Sequence, residues 1–544
     1  MAATRPLKLA IIGAGPSGFY TASRLLSLLP AASQKGRHVE VHMYDRLPTP
    51  YGLVRYGVAP DHPEVKNCQE KFDGLACDPR FRFFGNVSIG TTTSPSCSST
   101  GAYTYPDAVH IPLSELTPYY TTVLFSYGSS LSNPLSRTKH SSSSPAPLRN
   151  VIPALAFVSW YNGHPAYTHL TDQLLDLAAV EEATVIGHGN VAIDVARMLL
   201  KDPDTLARTD MPTSVVQRLR ESKVRKVSAV GRRGPAQVSF TTKEFREMVH
   251  LPRVTIRPVD AGLMEDAQRM VVGDRPRKRL MELMSKSGTA ASGGDREFEL
   301  GFLKSPIAFL PSTTDSDSGP AKVSHIKWSL NSLLSPPAPP PLPSPHPPAA
   351  PATSTDSTPS TTVVARPTGE EITTPAGLVI ESVGYRSESL APPTQAEEPW
   401  ALPFDEKRGR IMNDGGRVVD DSGIMVPGFY TAGWVASGPI GVIASTMQYA
   451  FSVASLIIND HFIQPSSSAF TSPLPITPEP GIPAALVDAG AEPVSSAGSS
   501  RSGKRVVEME DWNQIDRAEI ARGKQAGKPR EKFLSVRDML HVLP

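Results

Sequence analysis

Apolar and polar positions repeat a pattern along this chain: a short apolar run, a glycine turn, then an amphipathic stretch. Residues 7–29, "LKLAIIGAGPSGFYTASRLLSLL", predict a strand, a turn and a helix. The run "VEVHMYDR" (39–46) predicts a second strand, and a glycine- and proline-rich loop follows at 47–67. The pattern returns in "EEATVIGHGNVAIDVARMLL" (181–200), with its second strand in "KVRKVSAVGRR" (223–233). A third segment, 428–458, predicts strand, glycine loop and long helix. Strand, crossover helix, strand is the grammar of a parallel sheet. The expected class is α/β with two Rossmann-like dinucleotide-binding domains.

Between these blocks lie tracts that cannot bury enough apolar surface to order themselves. They are 91–100, 140–147, the proline-rich 335–362 and 465–475. All four are expected to be insertions without chemistry of their own. Proline, 54 of 544 residues, is about twice its usual share, which lowers the three or four domains that length alone suggests.

The net charge of +1 gives no global pull toward nucleic acid or membranes, so a charge-guided partner must meet a local patch. Cys68, Cys77 and Cys97 form neither a C-x-x-C pair nor a metal-ligand spacing, which fits a reducing compartment and no metal site. No apolar stretch approaches 18 residues without polar breaks, so at most peripheral membrane association is expected. Strand-like residues begin by Leu7, leaving no room for a targeting peptide. A cytosolic chain, a mature chain and a late translation start all fit.

The first turn is G-x-G-x-x-G: Gly13, Gly15 and Gly18. The first glycine makes the tight turn and the second lets backbone approach a pyrophosphate. The third lets helix and strand pack closely. Asp45 ends the next strand, where an acid binds ribose hydroxyls. The second turn is Gly187, Gly189 and Ala192, and there the strand tip carries Arg232 and Arg233 instead of an acid. Two exposed arginines are ordinarily a solvated surface. At this place guanidinium groups suit a 2′-phosphate, which a carboxylate would repel. An acidic first site and an arginine-bearing second suggest FAD in one and NADPH/NADP+ in the other. No redox-active cysteine pair is present to receive electrons within the chain, so they leave for an external acceptor.

The strings "GAGPSGFYTA", "YGLVRYGVAPDHPEVKN", "SWYNGHP", "GHGNVAIDVAR", "VGRRGPAQVSFTTKEFREM", "RPRKRL", "AGWVASGPIGVIAS" and "ARGKQAGKPREK" occur in this order. On them the chain resembles the adrenodoxin reductase family of mitochondrial NADPH–ferredoxin reductases, the fungal forms most of all. The resemblance implies an NADP domain (127–385, with the insertion 335–362) placed inside an FAD domain (1–126 and 386–544). It assigns Ala14, Asp45, Leu53, Ile89, Trp434 and the Gly441–Val442–Ile443 turn to FAD. To NADP it assigns His188, Gly189, Asn190, Val191, Arg232, Arg233, Glu244 and Gly441. His62 and Asp194 match positions that couple flavin and nicotinamide, although a histidine between loop prolines also reads as plain loop. Arg275 and Arg279, four apart in "RPRKR", match positions that contact an acidic [2Fe–2S] ferredoxin. Mitochondrial residence and a role in iron–sulfur assembly, hydroxylation or haem pathways come with the family.

Some features depart from the family pattern. His188 stands where the family has glutamine, and "WVASGPIG" lacks the basic residues of the family loop "WVKRGPTG". Residues 91–104 and 128–150 put serine-rich chain where the family is ordered. Other functions share parts of this reading. An electron-input module similar to the small glutamate synthase subunit would want a cysteine-rich segment ahead of Gly13. A flavin monooxygenase does not account for the longest strings. A non-catalytic NADPH-binding redox sensor would be reduced by NADPH yet pass electrons to no ferredoxin.

Overall fold

The computed structural model describes residues 5–90, 105–170, 175–287, 294–312, 320–334, 363–390, 402–440, 443–462, 474–491 and 504–544. The chain opens with β1 (Leu7–Ile12), α1 (Pro16–Leu28), β2 (Val39–Tyr44), β3 (Phe81–Phe84) and β4 (Thr122–Phe125). It continues through β5 (Val151–Pro153), β6 (Glu182–Ile186), α2 (Asn190–Leu200), β7 (Lys226–Val230) and α3 (Thr242–Val249). Next come β8 (Val254–Ile256), α4 (Arg275–Ser287) and β9 (Arg296–Gly301). A meander of β10 (Lys304–Pro311), β11 (Val323–Leu334) and β12 (Val364–Pro375) precedes β13 (Leu378–Glu381). The last elements are β14 (Asn413–Asp414), β15 (Arg417–Val419), β16 (Met425–Thr431), α5 (Ile443–Phe462) and α6 (Met509–Gln525).

Two mainly parallel sheets result. The first has the order β14-β15-β16-β4-β1-β2-β3 and so joins strands from both ends of the chain. The second, β8-β9-β7-β6-β13-β5, takes all its strands from residues 151–381. β1 is buried along its whole length because Leu7, Leu9 and Ile11 share a core with α1 and α5 on one face, while Ala10 and Ile12 share one with the strand pair 87–89 and 109–111 on the other, which is why it reads as an apolar run broken only by Lys8. The long helix α5 packs on α1, and the Thr21 hydroxyl donates to the Ala450 carbonyl across that contact (3.4 Å). The α/β class and the two dinucleotide-type sheets agree with the sequence reading.

One expectation is corrected. Residues 140–147 were expected to be an unstructured insertion, and the chain there is held in place. Ser141 is buried, and Ser142 donates to Glu381 through both its amide (3.3 Å) and its hydroxyl. The Thr138 hydroxyl donates to the Pro306 carbonyl at 2.9 Å, and strand 131–132 pairs with 385–386. Serines order this segment by hydrogen bonding to a buried carboxylate, a route that apolar counting overlooks. Tracts 91–100 and 335–362 lie outside the described residues, as does 465–473, while Leu474 is buried in the first unit's core.

The C-terminal segment fastens to both units. Glu519 on α6 is fully buried and accepts from Arg55 (2.7 Å), Arg530 (2.9 Å) and the Phe533 amide (3.0 Å). Lys532 donates to the Asn162 carbonyl (2.9 Å) and pairs with Asp210 (3.0 Å), which Lys66 also meets at 2.6 Å. Burial lowers both lysines, Lys532 to about 7. Burial alone would raise Asp210, but Lys532 and Lys66 together hold it well below the usual carboxylate range.

Candidate functional site

β1 ends in a turn at Gly13, whose φ of 106° no L-residue adopts easily; a Cβ there would lie 2.4 Å from the Tyr127 Cα. A Cβ on Gly18 would lie 2.5 Å from the Gly13 carbonyl oxygen, so α1 rests directly on the turn. Around Gly15, the N-cap of α1, a Cβ would meet nothing within 4 Å. The turn therefore opens a concavity at the positive end of a 13-residue helix, whose first-turn amides have no partner within the helix. Ser17 lines it, and its buried hydroxyl has no hydrogen-bond partner among the described residues.

This concavity belongs to a cavity of about 490 Å³, in the range of ligand pockets. Its walls bring together Gly13, Gly15, Asp45, Leu53, Ile89 and Trp434. Asp45 holds the turn as well as lining the site: the Ala14 amide donates to Oδ2 (2.9 Å) and the Leu47 amide to Oδ1 (3.0 Å). Burial raises its carboxyl against the pull of those two amides. The next residue, Arg46, stacks on Tyr105 (4.5 Å) and pairs with Glu388 (3.2 Å), both also in the wall. Gly441 and Val442 lie outside the described residues, and α5 begins at Ile443. The open glycine, the unpartnered Ser17, the acid and the long apolar wall together fit FAD.

The second turn repeats the construction at the end of β6. Gly187 has φ 134° and a Cβ there would lie 2.1 Å from the Ser382 carbonyl, whereas Gly189, the N-cap of α2, is open. Asn190 Oδ1 accepts from the Thr241 amide (2.8 Å), Val191 is half-buried, and Ala192 is buried. His188 turns its ring inward: Nε2 meets the Ala229 carbonyl (3.0 Å), and the ring lies 4.8 Å from Phe302. Burial lowers it to about 4, so the ring is neutral. Arg232 and Arg233 follow β7, and among the described residues neither has an acid partner. Burial and the charges of Arg232 and Arg277 all lower Arg233.

A chain of charged groups crosses from the first unit to the second. His62 Nε2 lies 2.6 Å from Glu247 Oε2 on α3, and Arg197 on α2 pairs with Asp61 and Asp194. Lys201 reaches Asp61 at 2.7 Å. Glu244 stands on the same face of α3, and the ligand atoms of His62, Glu244 and Glu247 lie within 4.8 Å of one another. Burial raises Asp194, and Arg197 opposes it; Glu244 is raised by burial and by the neighbouring carboxylates. Arg197 (3.9 Å) and Lys243 (4.0 Å) also approach Glu247, so cations of the chain itself answer the acidic charge.

Arg275 and Arg279 are exposed on the first turns of α4, with Pro276 at the second helical position, where a missing N–H costs nothing. Sequence reasoning missed Asp61, Arg197 and Glu247, as well as Arg46, Ser17 and Tyr127. Two signals were present: Asp61 adjoins His62, and Glu247 stands one helical turn after Glu244.

Two parallel sheets, each with a glycine turn opening onto a helix N-terminus, define a two-nucleotide oxidoreductase fold of the flavoprotein reductase class. No family model matches the chain. It is 36% identical to the mitochondrial NADPH:adrenodoxin oxidoreductase of Homo sapiens over 98% of this chain and 92% of that protein. It is 33% identical to the NADPH-ferredoxin reductase FprA of Mycobacterium tuberculosis over 99% of each chain. The structure of FprA in complex with NADPH superposes with a TM-score of 0.72 at 32% identity, covering 99% of both chains. The chain belongs to the NADPH:adrenodoxin oxidoreductase family.

Proposed function

We propose that this protein oxidises NADPH and reduces an acidic [2Fe–2S] ferredoxin one electron at a time. The balance is NADPH plus two oxidised ferredoxins giving NADP+, a proton and two reduced ferredoxins. The observation that carries the reading is one chain with two open glycine cradles, only the second backed by arginines that have no acid partner among the described residues. FAD, when bound, supplies acceptance of electrons in a pair and their release singly. The chain's own residues bind and orient. The α1 N-terminus and Ser17 would hold the pyrophosphate of FAD, and Asp45 would bind its ribose hydroxyls. Arg232 and Arg233 hold the NADPH 2′-phosphate, and Gly189, Asn190 and Val191 its pyrophosphate.

His62 Nε2 lies within hydrogen-bond distance of Glu247 Oε2 where the two units meet, and Arg197 fixes Asp194 beside them. Trp434 closes the cavity against water. Arg275 and Arg279 receive the ferredoxin's acidic face, since a local cationic patch on a nearly neutral chain steers an acidic partner. Residues 1–126 with 386–544 make the FAD domain and 127–385 the NADP domain. Residence in the mitochondrion and service to iron–sulfur assembly, hydroxylation or haem pathways complete the reading. No helix among the described residues is long and apolar enough to cross a membrane.

Absorption spectra of the purified protein test this. A flavin spectrum that bleaches with NADPH and recovers on adding oxidised ferredoxin is expected. Bleaching without recovery would refute electron delivery, and a protein that takes up no FAD would refute the whole reading.

A further inference from the structure

The turn after β7 is fixed from several sides. The Asn331 side-chain amide donates to the Arg232 carbonyl (3.2 Å), and the Leu303 amide donates to the Arg233 carbonyl (3.3 Å). Gln237 Oε1 accepts from the Gly234 amide (3.1 Å), which locks the short helical turn 235–237. Onto that turn reaches a residue from a distant element. Asp274 caps α4 by accepting from the Arg277 amide (3.0 Å), and the Arg277 guanidinium donates through Nη1 to the Ala236 carbonyl at 2.7 Å. Arg277 stands two residues from both Arg275 and Arg279, and two residues turn a helix by about 200°. It therefore faces the Arg232–Arg233 turn while its neighbours face away.

We propose that Arg277 is the third guanidinium of the NADPH 2′-phosphate site and a determinant of cofactor specificity. This rests on the reading of Arg232 and Arg233 as that site. Arg277 reaches the turn that directly follows Arg232 and Arg233, and among the described residues the only acid that any of the three pairs with is Asp274, half-exposed and 3.4 Å from Arg277 Nε. Arg233 is lowered first by burial and then by the like charges of Arg232 and Arg277. A phosphate monoester brings a charge near −2 and three acceptor oxygens, which answers such a cluster as a lone surface carboxylate does not. Arg277 keeps Nη2 for this purpose, because Nη1 is spent on Ala236 and Nε on Asp274.

Calorimetric binding of 2′,5′-ADP and 5′-AMP to the flavin-loaded protein tests the proposal. Arg277→Gln removes the charge and keeps a polar side chain with a donor amide. It should weaken 2′,5′-ADP about tenfold, as expected for one exposed charge-assisted contact, and leave 5′-AMP unchanged. Arg277→Lys should recover part of that loss. If Arg277→Gln binds 2′,5′-ADP like wild type while Arg232→Ala with Arg233→Ala does not, the third-arginine assignment is overturned and the two-arginine reading stands. Equal weakening of both nucleotides would make Arg277 a brace for the turn and also overturn it. If the double variant keeps full 2′,5′-ADP affinity, the parent reading falls and takes this one with it.

Discussion

Replacing Gly13 and Gly15 by alanine, one at a time, should produce opposite phenotypes from two glycines separated only by Ala14. At Gly13 the backbone has φ 106° and the added methyl would sit 2.4–2.5 Å from Tyr127 backbone atoms, which cannot rotate away. Strain of this kind costs about 1–3 kcal/mol and forced overpacking about 1–3 more, so Gly13→Ala should lose roughly 2–6 kcal/mol of apoprotein stability. Gly15 has φ −86° and ψ 179°, values alanine adopts freely, and nothing lies within 4 Å of its virtual Cβ. Gly15→Ala should leave the apoprotein as stable as wild type or about 0.4–1 kcal/mol more so, through the smaller entropy of its unfolded chain. Its methyl instead enters the space reserved for the pyrophosphate. Losing one charge-assisted amide contact costs about 1.5–3 kcal/mol, so flavin affinity should drop roughly 10- to 150-fold. Denaturant titration of apoprotein and fluorescence titration with FAD separate the two effects. Wild-type flavin affinity in Gly15→Ala would refute the assignment of this turn to the pyrophosphate.

Four further outcomes are expected. Arg232→Ala with Arg233→Ala should erase about two to four decades of preference for NADPH over NADH while flavin content stays constant, as steady-state kinetics with both nucleotides would reveal. Arg275→Glu with Arg279→Glu should depress ferredoxin reduction and flatten its salt dependence, yet spare reduction of a small neutral dye. Asp210→Asn leaves Lys66 and Lys532 buried without their carboxylate and should cost about 3–5 kcal/mol by denaturant titration at neutral pH. Because Asp210 is lowered in the folded protein, its contribution is complete above its unfolded value near 4 and is lost as pH falls below that. The gap between wild type and Asp210→Asn should close on acidification. Replacing residues 335–362 with a short Gly/Ser linker should preserve NADPH-to-dye activity, since loop closure changes by only about 0.6 kcal/mol per doubling of length.

What the sequence disclosed was local. A glycine's role depends on its own turn, so Gly13, Gly15 and Gly18 could each be read from spacing, and each has the surroundings that spacing implied. Arg232 and Arg233 were legible for the same reason, as residues at a strand tip. The network of Asp61, His62, Asp194, Arg197 and Glu247 was only half legible, because its members come from a loop and two helices far apart in the chain. No periodicity relates them; the docking of one unit on the other does. The same blindness misjudged residues 140–147, where the deciding partner, Glu381, lies more than two hundred residues downstream. His188 was assigned to the nucleotide by position, and its ring packs under the turn against Phe302.

The first sheet has a consequence for how the chain is made. β4 ends at Phe125, and its neighbour β16 starts at Met425, with the entire second sheet between them. On a ribosome adding roughly 5–20 residues per second, β4 waits about 15–60 s for that neighbour. For that interval the half-built sheet has an open edge beside strands that are apolar on both faces, a template for pairing with another nascent chain. Trp434 and α5, which finish the cavity, emerge later still. Flavin capture therefore belongs to the end of synthesis, after the nucleotide-binding sheet made in the middle has already had time to fold.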